Sequence, residues 1–407
     1  MVHLAAEAVV AGHICLDVIP AIEEKKQGLG AFLTPGKLIS VGPARTSTGG
    51  AVPNTGLALR RLGLRTRLVG KIGRDLFGDE ILHALRGYGS ETIADMVVSP
   101  EEHTSYTLVI NPPNVDRIFL HCTGANDTFT ADDIRPEALS GARLFHFGYP
   151  PLMKRMYEEE GAELARLLSG VKRQGLTVTL DMARPDPETP AGRADWRRIL
   201  AAALPSVDLF FPSFEEILYM LRPETYRQWA RTLGSEDLLP LADGSLLSEL
   251  ADELLNMGAA AVAIKLGEHG LYLRTTADPA RLAAMGAASP VGEQAGNWLG
   301  RELLAPCFQV EAAGTTGAGD ATIAGFLAAM LRGSTVEDAL LCAVGTGACS
   351  VEEKDAVGGI PSWDRLMTRI GAGWAQRATV MRLPGWQYDE RNRLWSSVGK
   401  AGPSPHD

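Results

Sequence analysis

An α/β fold with a mainly parallel sheet, helices on both faces and a small β lid is predicted for this chain by three observations. Short apolar runs alternate with amphipathic helical patterns along most of its length. One pair of runs, SYTLVIN and DRIFLHC, breaks that rhythm with an intervening turn of Pro and Asn, which marks a hairpin and not a crossover helix. A glycine-rich turn, GTTGAGD at Gly314–Asp320, leads directly into residues Ile323, Phe326, Leu327, Met330 and Leu331 at helical spacing.

Taken in order, AVVAGHICLDVI from Ala8 reads as a buried strand ending in a polar loop, which puts Asp17 just past a strand end. Gly12 permits a close approach of backbone or ligand there. The segment from Pro20 to Ser47, rich in Gly, Pro, Lys and Ser, is too long for an ordinary connection and reads as a lid or inserted hairpin. GGAVPNTGLALRRLG gives a glycine turn and a helix stopped by Gly63, followed by the strand TRLVGKIG. Asp75 opens a second helix, whose Phe77, Ile81, Leu82 and Leu85 share one side. After the hairpin come strand RLFHFGY, a long helix near 153–174, strand TVTLDM, a helix near 196–204 and strand DLFFP. AAVAIKLG and GLYLRT are the next two strands, and an Ala- and Gly-rich insertion separates them from CFQVEAAG. The main α/β domain is therefore expected over residues 1–372, with lid segments near 14–48 and 100–125. Residues 373–407 lack clear periodicity and read as an irregular tail.

Composition narrows the function classes. A hydrophobic content of 45% against 22% charged residues is that of a globular protein, and 39 Lys and Arg against 49 Asp and Glu give a net charge of −10. That sign argues against a nucleic-acid partner. Cys15, Cys122, Cys307, Cys342 and Cys349 show neither zinc-site pairing nor disulfide density, so reduced thiols are expected. No signal peptide opens the chain and no stretch supplies the roughly 20 apolar residues of a membrane span, so a soluble cytoplasmic protein is expected.

The chemistry concentrates at Gly314–Asp320. Small residues at a helix start leave N–H groups free to hold a phosphoryl group, and Asp320 beside them suits proton abstraction from a hydroxyl. Taken alone, the turn also suits a plain helix start with Asp320 as its N-cap. No Lys follows in the GK[ST] arrangement, so this is not a Walker A loop.

GTTGAGDATIAGF resembles the carboxyl-terminal motif of the ribokinase-like, or PfkB, carbohydrate kinases, and STGGAVPNTGLALRRLG with KIGRDLFGDEI resembles their amino-terminal motif. The resemblance extends over roughly 8–369 and implies a three-layer ribokinase-like fold and ATP-dependent phosphorylation of a sugar-like hydroxyl. Asp320 matches the family's catalytic base, and Gly317, Ala318 and Gly319 its anion hole. Asp17, Gly49, Gly50 and Asn54 match substrate-contacting positions, although Asn54 also suits a helix cap and the glycines a simple turn. KLGEHG resembles the glycine loop along the ATP phosphates, assigning Gly267 and Gly270 to the nucleotide together with Thr315; Lys265 either reaches a phosphate or snorkels from its strand end. PSFEE resembles the PNxxE stretch, so Glu216 would bind Mg²⁺ through water, with Ser213 replacing the usual Asn. LDMAR, with Asp181 and Arg184, resembles a strand end near the phosphates, a structural salt bridge being the competing role. Gly314 replaces the family's Asp at a monovalent-cation site, which puts potassium dependence in doubt.

The resemblance also implies that the lid covers the sugar and offers a homodimer contact. A nucleoside or vitamin-like alcohol is the alternative acceptor. A non-catalytic sugar-binding or regulatory relative is the alternative from another class. A nicotinamide-dependent oxidoreductase would need GxGxxG after the first strand, which AGHICLD lacks.

Overall fold

The first apolar run divides into two strands, because Gly12 adopts φ +122° and a Cβ on it would lie 2.1 Å from the Gly148 carbonyl oxygen. The close approach is therefore to backbone, and it sends the chain from one sheet into another. The computed structural model describes residues 6–22, 35–111 and 118–397. Parts of the expected lid (23–34), the turn of its hairpin (112–117) and the last ten residues of the tail lie outside them.

The strands are β1 (Ala8–Gly12), β2 (Cys15–Pro20), β3 (Ala44–Gly49), β4 (Thr66–Val69), β5 (Lys71–Gly73), β6 (Val97–Ser99), β7 (Tyr106–Ile110), β8 (Ile118–Cys122), β9 (Leu144–Gly148), β10 (Thr177–Asp181), β11 (Leu209–Phe211), β12 (Ala261–Lys265), β13 (Leu271–Thr275), β14 (Glu302–Ala305), β15 (Trp386–Asp389) and β16 (Leu394–Ser397). Helices of eight residues or more are α1 (Ala51–Arg61), α2 (Leu76–Arg86), α3 (Ala162–Lys172), α4 (Trp196–Ala203), α5 (Phe214–Leu221), α6 (Pro223–Leu233), α7 (Gly244–Asn256), α8 (Ala318–Leu331), α9 (Val336–Val351) and α10 (Trp363–Gly371).

Ten strands form one sheet in the order β15-β16-β14-β13-β12-β11-β10-β9-β1-β4. Pairing is parallel from β4 to β12 and antiparallel from β12 outward. The period-2 alternation of strand side chains sorts the core into two layers. Val9, Ala11, Phe145, Phe147, Val178 and Leu180 pack with α3, α4, α5 and α7. On the other face, Val10, Leu144, Ala263 and Leu273 pack with α1, α8 and α9. The same alternation turns Thr179, Asp181 and Lys265 toward the α8 layer, with Asp181 and Lys265 at the carboxyl ends of their strands. That is where an open parallel sheet places its ligand crevice.

A second sheet, β3-β2-β7-β8, is the expected small β lid. Asn126 fastens it to the core, accepting from the Ile14 amide (3.2 Å) and donating to the Ile14 carbonyl (2.9 Å). Asp75 caps α2 through the Gly78 amide (2.9 Å) and also accepts from the Thr104 amide (2.8 Å), so the motif around it ties α2 to the start of β7.

Two expectations need correction. The tail read as irregular contains β15 and β16, and β16 pairs with β14 to extend the main sheet. The preceding segment clasps the chain that follows β14 and reaches the β12–β13 loop: the Gln309 amide donates to Ala375 (2.8 Å), the Arg377 amide to Cys307 (2.8 Å), and the Arg377 guanidinium pairs with Glu268 of that loop (2.8 Å). The helix expected over 153–174 is broken, because Glu159 (φ 51°), Glu160 (φ 54°) and Gly161 (φ 79°) are left-handed; only Lys154–Tyr157 and α3 are α-helical.

Candidate active site

Residues from three distant parts of the chain meet at the first turn of α8. Gly317 (φ +74°) precedes it, and a Cβ there would lie 2.6 Å from that of Ala356, so only glycine fits the turn unstrained. Asp320 therefore stands inside the helix and is 3% exposed, so the role of N-cap is excluded. Its Oδ1 accepts from the Thr55 hydroxyl (2.9 Å), and its Oδ2 accepts from the Asn54 amide (3.1 Å) and the Tyr149 hydroxyl (2.6 Å). Burial raises the Asp320 carboxyl above the ordinary carboxylate range, and the Tyr149 bond, the Lys265 ammonium, Asn54 and Thr55 draw it back.

Asn54 lies within α1, whose N-cap is Gly50, so it caps nothing and its amide faces Asp320. Thr55 and Tyr149 were missed in the sequence. Tyr149 follows β9 directly and adopts φ 63°, ψ 72°, a conformation rare for a bulky residue. Its position in FGYPP, at a strand end beside the expected crevice, was the available signal.

Lys265 and Asp181 form a buried ion pair of 2.5 Å, with side chains 13% and 1% exposed. The Lys265 head thus points inward, and its Nζ would lie 3.7 Å from a Cβ on Gly319, at the start of α8. Burial works against the Lys265 charge, but Asp181 and Glu216 more than offset it and raise its pKa. Asp181 Oδ2 is buried without a hydrogen-bond partner. Arg184 is not part of this group; it binds the Tyr226 hydroxyl (3.0 Å) and pairs with Glu236.

Glu216 accepts from the Ser213 amide (2.6 Å) and Ser213 Oγ accepts from the Glu216 amide (3.3 Å), a reciprocal capping box at the start of α5. Ser213 also bridges to Lys265, which brings Glu216 beside the ion pair. A carboxylate with its second oxygen uncommitted to the cap, next to the orphaned Asp181 Oδ2, is an oxygen donor set that fits Mg²⁺. Gly267 (φ +53°) and Gly270 (φ +115°) bound the loop that follows β12, and Gly270 passes so close to Ala305 that a Cβ would lie 1.9 Å from its carbonyl oxygen. At Gly314 a Cβ would lie 3.2 Å from the Lys354 Cα, so the family's Asp would require the 353–354 segment to shift.

On the opposite side, Gly49 leaves room for Asp17: a Cβ there would lie 2.6 Å from the Asp17 carboxylate. Gly50 (φ +99°) lies against the His13 carbonyl and ring. Burial raises the Asp17 carboxyl, against hydrogen bonds from Cys15 and Thr107. The His13 ring stands between Tyr149 (centroids 5.9 Å apart) and His121 of β8 (5.3 Å).

The arrangement thus joins a buried carboxylate, a helix N-terminus with a lysine beside it, and the polar side chains of Asp17 and His13 at the second sheet. Residues 5–363 match the pfkB family carbohydrate kinases, leaving α10, β15 and β16 almost wholly outside the match. The chain is 25% identical over 305 residues to an uncharacterized sugar kinase of Archaeoglobus fulgidus, covering 75% of this chain and 98% of that protein. It is 23% identical over 370 residues to a nucleoside kinase of Methanothermobacter thermautotrophicus, covering 91% and 97%. Among solved structures, Arabidopsis thaliana ribokinase complexed with ribose and ATP shares the fold at TM-score 0.66 and 20% identity, covering 90% of this chain and 99% of that one. With the family pattern spanning most of its length and its fold shared with ribokinase, the chain belongs to the pfkB family of carbohydrate kinases.

Proposed function

We propose that this kinase transfers the γ-phosphoryl group of ATP directly to a hydroxyl of a small sugar, with Asp320 as the base. The observation that carries this reading is the triple anchoring of a buried Asp320 at the start of α8. Oδ2 is committed to two donors, whereas Oδ1, with Thr55 alone among the described partners, keeps a lone pair for the acceptor hydroxyl. Burial makes the carboxylate a stronger base than one in water, and Thr55, Asn54 and Tyr149 fix its direction. The amides of Gly319 and neighbouring residues, with Lys265, face the charge on the transferring group. Mg²⁺, held by Glu216 through water and by Asp181, would neutralise phosphate charge. Gly267, Gly270 and Thr315 line the nucleotide side in this reading, and Asp17, Gly49, Gly50 and Asn54 the acceptor side.

The lid sheet, by excluding water, would favour the sugar over hydrolysis. A cytoplasmic location and a dimer joined through the lid belong to the same reading. Among the described residues no helix is long and apolar enough to cross a membrane. A nucleoside acceptor is the second reading, favoured by the rings of His13, His121 and Tyr149 grouped together and by the resemblance to a nucleoside kinase.

ADP release would be followed with ATP and Mg²⁺ across a panel of sugars and nucleosides, with Asp320→Asn in parallel. Turnover on one class, reduced about 10²–10⁴-fold in the variant, is expected. Turnover retained within about tenfold in a folded variant would remove Asp320 as the base.

A further inference from the structure

One cluster on the acceptor side is left without work by the phosphoryl-transfer chemistry. His13 lies in the β1–β2 joint and is 2% exposed, yet neither of its ring nitrogens has a hydrogen-bond partner. A buried polar group in that state is destabilising unless something binds it. Around it stand the Cys15 thiol of β2 and the His121 ring of β8, and one ligand atom from each residue lies within 4.8 Å of the other two.

We propose that His13, Cys15 and His121 form a site for a soft divalent cation of the zinc type beside Asp17, and that its occupation excludes the acceptor. The donor set decides the class of ion. Two imidazoles and a thiolate suit zinc or cobalt and not the hard Mg²⁺ that accompanies a nucleotide. The surroundings are already those of a metal site. Thr107 Oγ1 holds His121 Nδ1 at 3.0 Å, which leaves Nε2 for the ion and fixes the ring. The same hydroxyl lies 3.6 Å from Cys15 Sγ. The Cys15 S–H donates to Asp17 Oδ1 at 3.4 Å, so metal binding to the sulfur takes that donor from Asp17, and the fourth position falls to water. Metal–ligand distances of about 2.0–2.3 Å require the three atoms to draw together by roughly 1 Å. The exposed strand carrying His121 is the side able to move. On binding, the Cys15 S–H bond breaks, a sulfur–metal bond forms and the proton passes to solvent.

A thiol is a weak partner for sugar hydroxyls, which argues against the cluster serving only the acceptor. Metal binding itself is independent of the proposed reaction; the exclusion of the acceptor rests on Asp17 serving that acceptor. Cobalt(II) added stepwise to the full-length, reduced protein tests the two separately. The expected result is a tetrahedral visible spectrum with a thiolate charge-transfer band, saturating at about one equivalent. The band disappears in Cys15→Ser, affinity falls at least about tenfold in His121→Ala, and Cys122→Ser behaves as wild type. Because Cys15 is buried, the His121 variant, on an exposed strand, guards against misfolding of the other. An octahedral spectrum in the wild type, or wild-type affinity in folded His121→Ala, overturns the site. In turnover assays, inhibition by zinc competitive with the acceptor and not with ATP is expected; inhibition indifferent to acceptor concentration overturns the exclusion.

Discussion

Replacing Tyr149 by Phe removes one hydroxyl and leaves the ring, and the effect on the base follows from the geometry. The hydroxyl donates a 2.6 Å hydrogen bond to Asp320 Oδ2 and stabilises only the ionised carboxylate. A hydrogen bond to a charged group contributes about 1.5–3 kcal/mol, so its loss should raise the Asp320 carboxyl further and favour the protonated form by about 10–100-fold. Its pKa is already raised by burial, and the lost bond was drawing it down, so both effects now act in the same direction. The acid limb of the kcat–pH profile should therefore move to higher pH, while at high pH, where Asp320 is ionised in both proteins, kcat converges to within a few-fold. The assay is steady-state ADP release from about pH 5 to 9 with a saturating acceptor. An acid limb at its wild-type position, or a loss of kcat equal at all pH values, would refute the idea that Tyr149 acts by setting the charge state of Asp320.

Lys265→Met should destabilise the fold by about 3–5 kcal/mol, because it leaves the buried Asp181 carboxylate unpaired, and it should also lower kcat. Adding Asp181→Asn should return most of the stability in urea unfolding without returning the activity. Gly317→Ala should cost about 1–3 kcal/mol, read as a lowered Tm, since the new methyl meets Ala356 and the backbone is left-handed. His146 is buried with its ring held by Thr179 (2.8 Å), and burial, assisted by the Lys265 charge, depresses its pKa to about 3 from an ordinary 6.5. Its contribution to stability is complete above pH 6.5 and is lost as pH falls toward 3, reaching about 2 kcal/mol by pH 5. His146→Asn, which keeps a partner for Thr179, should remove that part of the acid sensitivity in unfolding measured at pH 7 and pH 5.

The alternation of strands and helices was legible because each element from β9 to β12 carries its own apolar period. The glycine turn at Gly317 and the carboxylate at Asp320 were legible because they are adjacent in sequence and chemically unusual together. Thr55 was not, since a threonine in a helix has no local oddity, and Tyr149 offered only its place at a strand end before Pro150; the crossing of α1, β9 and α8 aims both at Asp320. The break at Glu159–Gly161 was hidden because Met156 before it and Leu164 after it are both buried, so the apolar spacing reads through the interruption. β15 and β16 escaped for the opposite reason. Each has four residues, and β15 at the sheet edge buries too little to show an alternating pattern.

Asp320 takes two of its three anchoring bonds from α1, across 265 and 266 residues of chain. Contacts of such long range close late, after the entropy of the intervening loop has been overcome. A refolding chain should thus regain its helical circular dichroism well before it can turn over substrate. Recovered catalysis becomes a reporter of the last docking step and not of secondary structure.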